Sequence, residues 1–217
     1  MSSLMIYPLG ETALVLQTNL AEQSRLIAML RHFEKQHSAH TGYQMVLGVG
    51  NLTLRFNPLQ QSAEDALLWL QQQWALSEMQ VDEINGDTVE IPVVYGGNAG
   101  PDLEFVAEQA SMSVQQVIEA HCTPLYQVLC IGFLPGFPYL AGLAPVLHTP
   151  RRAEPRSQVP AGSVGIGGAQ TGIYPCSSPG GWHLIGRTAL TLFDANANPP
   201  CRLQAGDRVR FVAQDSL

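Results

Sequence analysis

The chain has 217 residues, 46% of them apolar and only 13% charged, with a formal net charge of −7. That length fits one large domain or two small ones, and the apolar content is enough for real cores. The acidic balance, without a basic run carrying interleaved aromatics, argues against a nucleic-acid partner. No apolar run reaches the roughly 20 residues that span a bilayer.

The first segment, Met1-Ser2-Ser3-Leu4-Met5-Ile6-Tyr7-Pro8, lacks the basic n-region and apolar core of a secretory signal, so a cytoplasmic protein is expected. Leu4 to Tyr7 and Thr12 to Gln17 read as short strands around a Pro8-Leu9-Gly10 turn. Asn19, three residues before Glu22, has the spacing of an N-cap with a reciprocal partner. Leu26, Ile27, Leu30 and Phe33 then form a helical stripe. Tyr43 to Leu47 is a strand, Gly48-Val49-Gly50-Asn51 a turn, and Leu52 to Phe56 alternates as a half-buried strand does. Ser62 caps a second helix whose stripe is Leu67, Leu70 and Trp74. The order β-β-α-β-β-α gives a small α/β domain over residues 1–80, an antiparallel sheet with two helices on one face.

From Ser77 to Thr88 the sequence turns polar and acidic, which marks a domain boundary. Val89, Ile91, Val93 and Tyr95 alternate as a new strand. Pro101 opens a short helix, and Ser113 with Gln116 forms a capping-box pattern before Val117 and Ile118. After Thr123 the chain reads as short strands and turns, with Thr188 to Phe193 and Asp207 to Val212 as the last two strands. Residues 89–217 are therefore expected as a closed or nearly closed β-barrel with a helical insert. Cys122, Cys130, Cys176 and Cys201 show no C-x-x-C spacing and are expected as free, mostly buried thiols.

Familiar nucleotide signatures are absent. There is no G-x-x-x-x-G-K-[ST] loop, and Gly165-Ile166-Gly167-Gly168 has no capped helix after it. His32, His37 and His40 lack carboxylates or thiolates at ligand spacing, so no metal site is expected there. Chemistry-bearing residues concentrate between Tyr126 and Phe193. Arg151, Arg152 and Arg156 fall within six positions of one another, between prolines. Guanidinium forks held that way suit capture of a carboxylate or phosphate. The local sequence leaves open a structural pairing with Glu154 or other acids. Ser163, Gln170, Thr171, Tyr174, Trp182 and His183 offer polar groups from turns beside glycines, where backbone approaches a ligand closely. His148 and His183 are the proton-shuttle candidates. Phe133, Phe137, Pro138 and Tyr139 either line an apolar pocket or fill core.

Several strings are long and specific: Gly132-Phe-x-Pro-Gly-Phe-Pro-Tyr-Leu, Thr149-Pro-Arg-Arg-x-x-Pro-Arg, and Val159-Pro-Ala-Gly-Ser-Val-Gly-Ile-Gly-Gly-x-Gln-Thr-Gly-Ile-Tyr-Pro. With Ser178-Pro-Gly-Gly-Trp, Ile185-Gly-Arg-Thr and Gly100-Pro101-Asp102-Leu103, they resemble the family of 5-oxoprolinase B subunits, which includes the kinase inhibitor KipI and allophanate hydrolase subunit 1 proteins. The turn Gly48-Val49-Gly50-Asn51 departs from the family's usual proline-glycine-led form. The resemblance implies an α+β N-terminal domain followed by a cyclophilin-like β-barrel domain. It implies a subunit of an ATP-dependent enzyme that opens 5-oxoproline to L-glutamate, inactive alone. The partners implied are a sister barrel subunit of the C type and a third subunit of the A type, with ATP and Mg2+ bound alongside a partner.

On that resemblance Arg151, Arg152 and Arg156 would contact anions, and Ser163, Gln170 and Thr171 would orient the ring or phosphate. His148 or His183 would move protons, and Phe137, Tyr139 and Trp182 would line the pocket. The rival readings are a KipI-like inhibitor that binds a sensor histidine kinase, and a subunit of an allophanate hydrolase or urea carboxylase-type system.

Overall fold

A computed structural model describes residues 4–36, 42–83 and 86–216. The chain divides into two compact units, Met1–Asn85 and Gly86–Leu217. His37 and His40 lie outside the described residues.

The first unit holds strands β1 (Met5–Pro8), β2 (Ala13–Gln17), β3 (Tyr43–Leu47) and β4 (Asn51–Phe56) in a fully antiparallel sheet of order β1-β2-β4-β3. Alternation in β4 buries Leu52, Leu54 and Phe56, as the sequence pattern requires. Helices α1 (Gln23–Gln36) and α2 (Ala63–Ser77) pack on this sheet and on each other. Leu26, Ile27, Phe33, Leu70 and Trp74 supply their buried stripes. Ser62 caps α2 as its sequence position suggests, accepting from the Asp65 N–H at 3.1 Å. Asn19 does not cap with its side chain; it precedes a 3-10 turn, and its carbonyl accepts from the Glu22 N–H. The divergent turn after β3 is pinned by Gln23, whose amide donates to the Gly48 carbonyl and accepts from the Gly50 N–H at 2.7 Å.

The second unit is a closed seven-strand barrel. Its strands are β5 (Thr88–Tyr95), β6 (Tyr126–Ile131), β7 (Pro138–Ala141), β9 (Ser163–Gly167), β10 (Gln170–Ile173), β12 (His183–Arg187) and β13 (Arg208–Ala213), in the order β10-β7-β6-β13-β5-β12-β9. The barrel is mixed, since β13 runs parallel to β5 while the other pairs are antiparallel. Strands β8 (Arg156–Val159) and β11 (Ser178–Gly180) form a separate two-stranded ribbon. Between β5 and β6 stand α3 (Leu103–Ala110) and α4 (Val114–Cys122), which pack on β12 and β13. The Ser113–Gln116 capping box at the start of α4 is complete.

Thr188 to Phe193 is not a strand. The Thr188 hydroxyl accepts from the Leu190 N–H at 3.1 Å, a local bond that competes with ladder pairing, and only Phe193 makes a bridge, to Cys201. Leu192 is buried in the core instead. The four cysteines are free, but only Cys130 is buried and Cys176 is exposed. Burial raises the Cys130 thiol to about 11.

One polar chain crosses the barrel interior. Thr171 donates its hydroxyl to the Gly165 carbonyl at 3.0 Å, so its oxygen accepts from His121 Nε2–H, also at 3.0 Å. His121 Nδ1 must then accept from the Tyr95 hydroxyl at 2.8 Å, whose oxygen in turn accepts the Cys122 S–H. This order fixes the imidazole tautomer without freedom. Complete burial pushes the His121 pKa down to about 3, so the ring is neutral.

Candidate functional site

The repeating Val164-Gly165-Ile166-Gly167 of β9 sends Val164 and Ile166 into the barrel core and leaves the glycines on the other face. There they make room for rings. A Cβ on Gly167 would lie 2.6 Å from the Trp182 indole nitrogen, and one on Gly172 would lie 2.9 Å from the Phe137 ring. A Cβ on Gly180 would lie 2.5 Å from the Tyr174 hydroxyl. The sequence suggests that these glycines admit a ligand to the backbone; what they admit is an aromatic cluster.

Phe137 is the hub of that cluster. It meets Phe133, Tyr139, Tyr174 and Trp182 edge-on, with centroids 5.0 to 5.5 Å away and interplanar angles of 62° to 83°. Such T-shaped contacts suit the ring quadrupoles and leave the assembly stiff. Phe133 holds a left-handed φ of 66° and is 60% exposed, an uncommon state for a bulky residue. These rings line a cavity of about 310 Å³ completed by Arg151, Arg152, Pro155, Pro179, Gly180 and Gly181. Burial raises the Tyr139 and Tyr174 pKa values, so both phenols stay protonated at neutral pH.

The arginines are sorted by one acid. Asp102, at the start of α3, does not cap its own helix. Its Oδ1 accepts from Arg156 at 2.7 Å and from Arg152 at 3.3 Å, and its Oδ2 accepts from the Leu184 N–H at 2.7 Å. Burial by itself would raise the Asp102 pKa, but the Arg156 hydrogen bond, the Leu184 N–H and the two guanidinium charges outweigh it and hold the carboxyl below its ordinary value. Glu154 gives only its backbone carbonyl, to Arg152. Arg151 forms no ion pair among the described residues; its guanidinium stands 5.9 Å from the Trp182 ring centre.

Of the residues singled out in the sequence, Phe133, Phe137, Tyr139, Tyr174, Trp182, Arg151 and Arg152 come together around this cavity. Arg156 lies behind it on Asp102. His183 follows Trp182 on β12 and is 6% exposed, stacked on Phe105 at 4.8 Å, with Nε2–H donating to the Pro150 carbonyl. Its Nδ1 is buried without a hydrogen-bond partner among the described residues, and burial lowers its pKa, keeping the ring neutral. The remaining candidates do not line the cavity. His148 donates to the Leu143 carbonyl, Ser163 is buried where β9 begins, Gln170 begins β10, and Thr171 belongs to the interior chain. Asp102 is the residue that sequence reasoning passes over, because an acid before a helix reads as a cap. No three or more His, Cys, Asp or Glu side chains gather as a metal site among the described residues.

The family described as carboxyltransferase domain, subdomain C and D, matches residues 4–203. The chain is 46% identical over 219 residues to the 5-oxoprolinase B subunit of Haemophilus influenzae, covering 96% of this chain and 97% of that one. It is 47% identical over 212 residues to the protein of the same name from Escherichia coli, covering 96% and 95%. The chain belongs to the family of 5-oxoprolinase B subunits. A solved structure, TTHA0988, matches all of this chain with a TM-score of 0.77 and 34% identity, and this chain spans 41% of that one.

Proposed function

We propose that this chain works in the cytoplasm as the B-type subunit of an ATP-dependent 5-oxoprolinase, which opens 5-oxoproline to L-glutamate while ATP is hydrolysed to ADP and phosphate. A sister barrel subunit of the C type and a third subunit of the A type complete the enzyme, and this chain alone is inactive. The single observation that carries the reading is near-full-length similarity to the B subunits of two bacteria. The cyclophilin-like description of the barrel belongs to the same reading, and a shared fold transfers no isomerase chemistry.

A lactam is a resonance-stabilised amide and a poor electrophile, and ATP supplies the drive to open it. The described residues do not fit a magnesium–nucleotide site. No acidic or histidine cluster for the metal gathers among them, and Asp102 is committed to two arginines and a backbone N–H. ATP and Mg2+ are therefore assigned to a partner. This chain's contribution is to hold and orient an anionic substrate against aromatic walls fixed by edge-to-face packing. Of the two histidines, His183 neighbours the Asp102–arginine group whose charges it feels, and it is the one we assign to proton handling. Ser163, Gln170 and Thr171 then act through the barrel wall rather than by touching substrate.

Reconstitution tests the reading. Purified chain, both partner subunits, 5-oxoproline, ATP and magnesium should yield glutamate, and omission of any one of the three proteins should abolish it. A complete mixture without glutamate would sink the proposal, and dose-dependent loss of autophosphorylation in a sensor histidine kinase would put the inhibitor reading in its place.

A further inference from the structure

We propose that the aromatic cavity takes a small, flat carboxylate, that Arg151 is its anchor, and that Asp102 biases the site against a phosphate dianion by cancelling one of the three guanidinium charges beside it. This deepens the enzyme reading above and rests on it only for the choice of probe.

The charge distribution carries the argument. Three arginines stand near the cavity, a constellation that in isolation suits a phosphate dianion. Asp102 is buried and engages one nitrogen each of Arg152 and Arg156 through one oxygen, which cancels one positive charge and ties both guanidinium groups to the acid. Arg151 is exposed and pairs with no acid among the described residues. Its stand-off from Trp182 is informative beside Arg25 in the same protein, which sits 3.9 Å over the Trp74 ring and also bonds the Trp74 carbonyl and Glu22. Arg25 is a satisfied cation on an aromatic face. Arg151, at 5.9 Å, is not seated, and its fork is left for a ligand.

The walls set the shape. Five rings fixed edge-to-face form narrow apolar sides, and the volume of about 310 Å³ lies at the small end of the roughly 300–1,000 Å³ typical of ligand pockets. A flat ring fits between such walls while its carboxylate reaches the rim. A nucleotide's phosphates would face five aromatic rings and, of the two lining guanidinium groups, one that is already paired with Asp102, a poor exchange for their hydration.

Calorimetric titration of the full-length chain tests this with 5-oxoproline, 2-pyrrolidinone (the same ring without the carboxylate) and inorganic phosphate. The intact chain should bind 5-oxoproline saturably, with 2-pyrrolidinone and phosphate far weaker. Arg151→Ala, at an exposed position, should weaken 5-oxoproline by roughly tenfold or more. Asp102→Asn keeps an acceptor for the Leu184 N–H but frees both arginines, and should strengthen phosphate by about fivefold or more. Equal binding of 2-pyrrolidinone, an unaffected Arg151→Ala, or phosphate preferred by the unaltered chain would each overturn the assignment. A chain that fails to bind 5-oxoproline, yet forms glutamate with its partners, defeats this inference alone. Binding without glutamate formation in the complete mixture defeats the enzyme reading alone.

Discussion

At the scale of single residues, the glycines of β9 and β10 are packing devices. Gly167→Ala would drive a methyl group into the Trp182 indole, which packs edge-on against Phe137 and Tyr139, so the indole must shift and those contacts with it. Overpacking of this kind costs about 1–3 kcal/mol. Urea denaturation should show that loss, and 5-oxoproline binding should weaken with it because Trp182 is a wall of the cavity. His121 carries a second residue-scale consequence. Its folded pKa of about 3 lies below the ordinary value of 6.5, so below pH 6.5 the unfolded chain binds the extra proton. Stability contributed by the neutral ring is full above pH 6.5 and falls as pH drops toward 3, by at most about 1.4 kcal/mol per pH unit. Denaturation at pH 7 and pH 5 should reveal that slope in the intact chain. His121→Gln should be less stable at pH 7, through loss of the Tyr95 and Thr171 bonds, yet flatter between the two pH values. An equally steep variant would show that other groups set the acid response.

At the scale of elements, Asp102 joins three of them: its carboxylate holds β8 through Arg156, the 151–155 loop through Arg152, and β12 through Leu184. Asp102→Ala would leave the half-buried Arg156 and the Leu184 N–H without their acceptor. Charged hydrogen bonds of this kind are worth about 1.5–3 kcal/mol, and partial exposure of the arginines places the expected loss toward the lower figure. Thermal or urea unfolding of the variant measures it. The contrast with α4 shows what a sequence can disclose. Ser113 and Gln116 satisfy donors three residues away, so spacing alone identifies their box. Asp102 reaches arginines fifty and more positions further on, and only the folded barrel brings them together. The same limit hides the end of β12. Thr188 to Leu192 has strand-like composition, but one hydroxyl bond to the Leu190 N–H diverts it. The arginine cluster and the aromatic string were legible as a candidate pocket because they are local. The division of labour among the arginines was not, because the acid that imposes it is remote.

At the scale of the molecule, all seven barrel strands, both covering helices, the cavity wall and Asp102 come from Gly86–Leu217. The barrel closes when β13, the last strand, pairs in parallel with β5, the first, and also with β6. No local signal forecasts that contact, since parallel neighbours need a long crossover and here the crossover is nearly the whole unit. The barrel has its own core, Ile91, Val93, Val128, Leu140, Val164, Ile166, Ile185, Val209 and Phe211 among others. A fragment beginning at Gly86 should therefore fold alone, unfold in one cooperative transition, and bind 5-oxoproline within about threefold of the full chain, a difference under 1 kcal/mol. Removing β13 from that fragment at Arg208 exposes the edges of β5 and β6 together and should abolish cooperative unfolding. A longer fragment that fails to fold would mean that the first unit supplies part of the barrel's stability. A shorter one that still folds and binds would mean that closure is dispensable to the site.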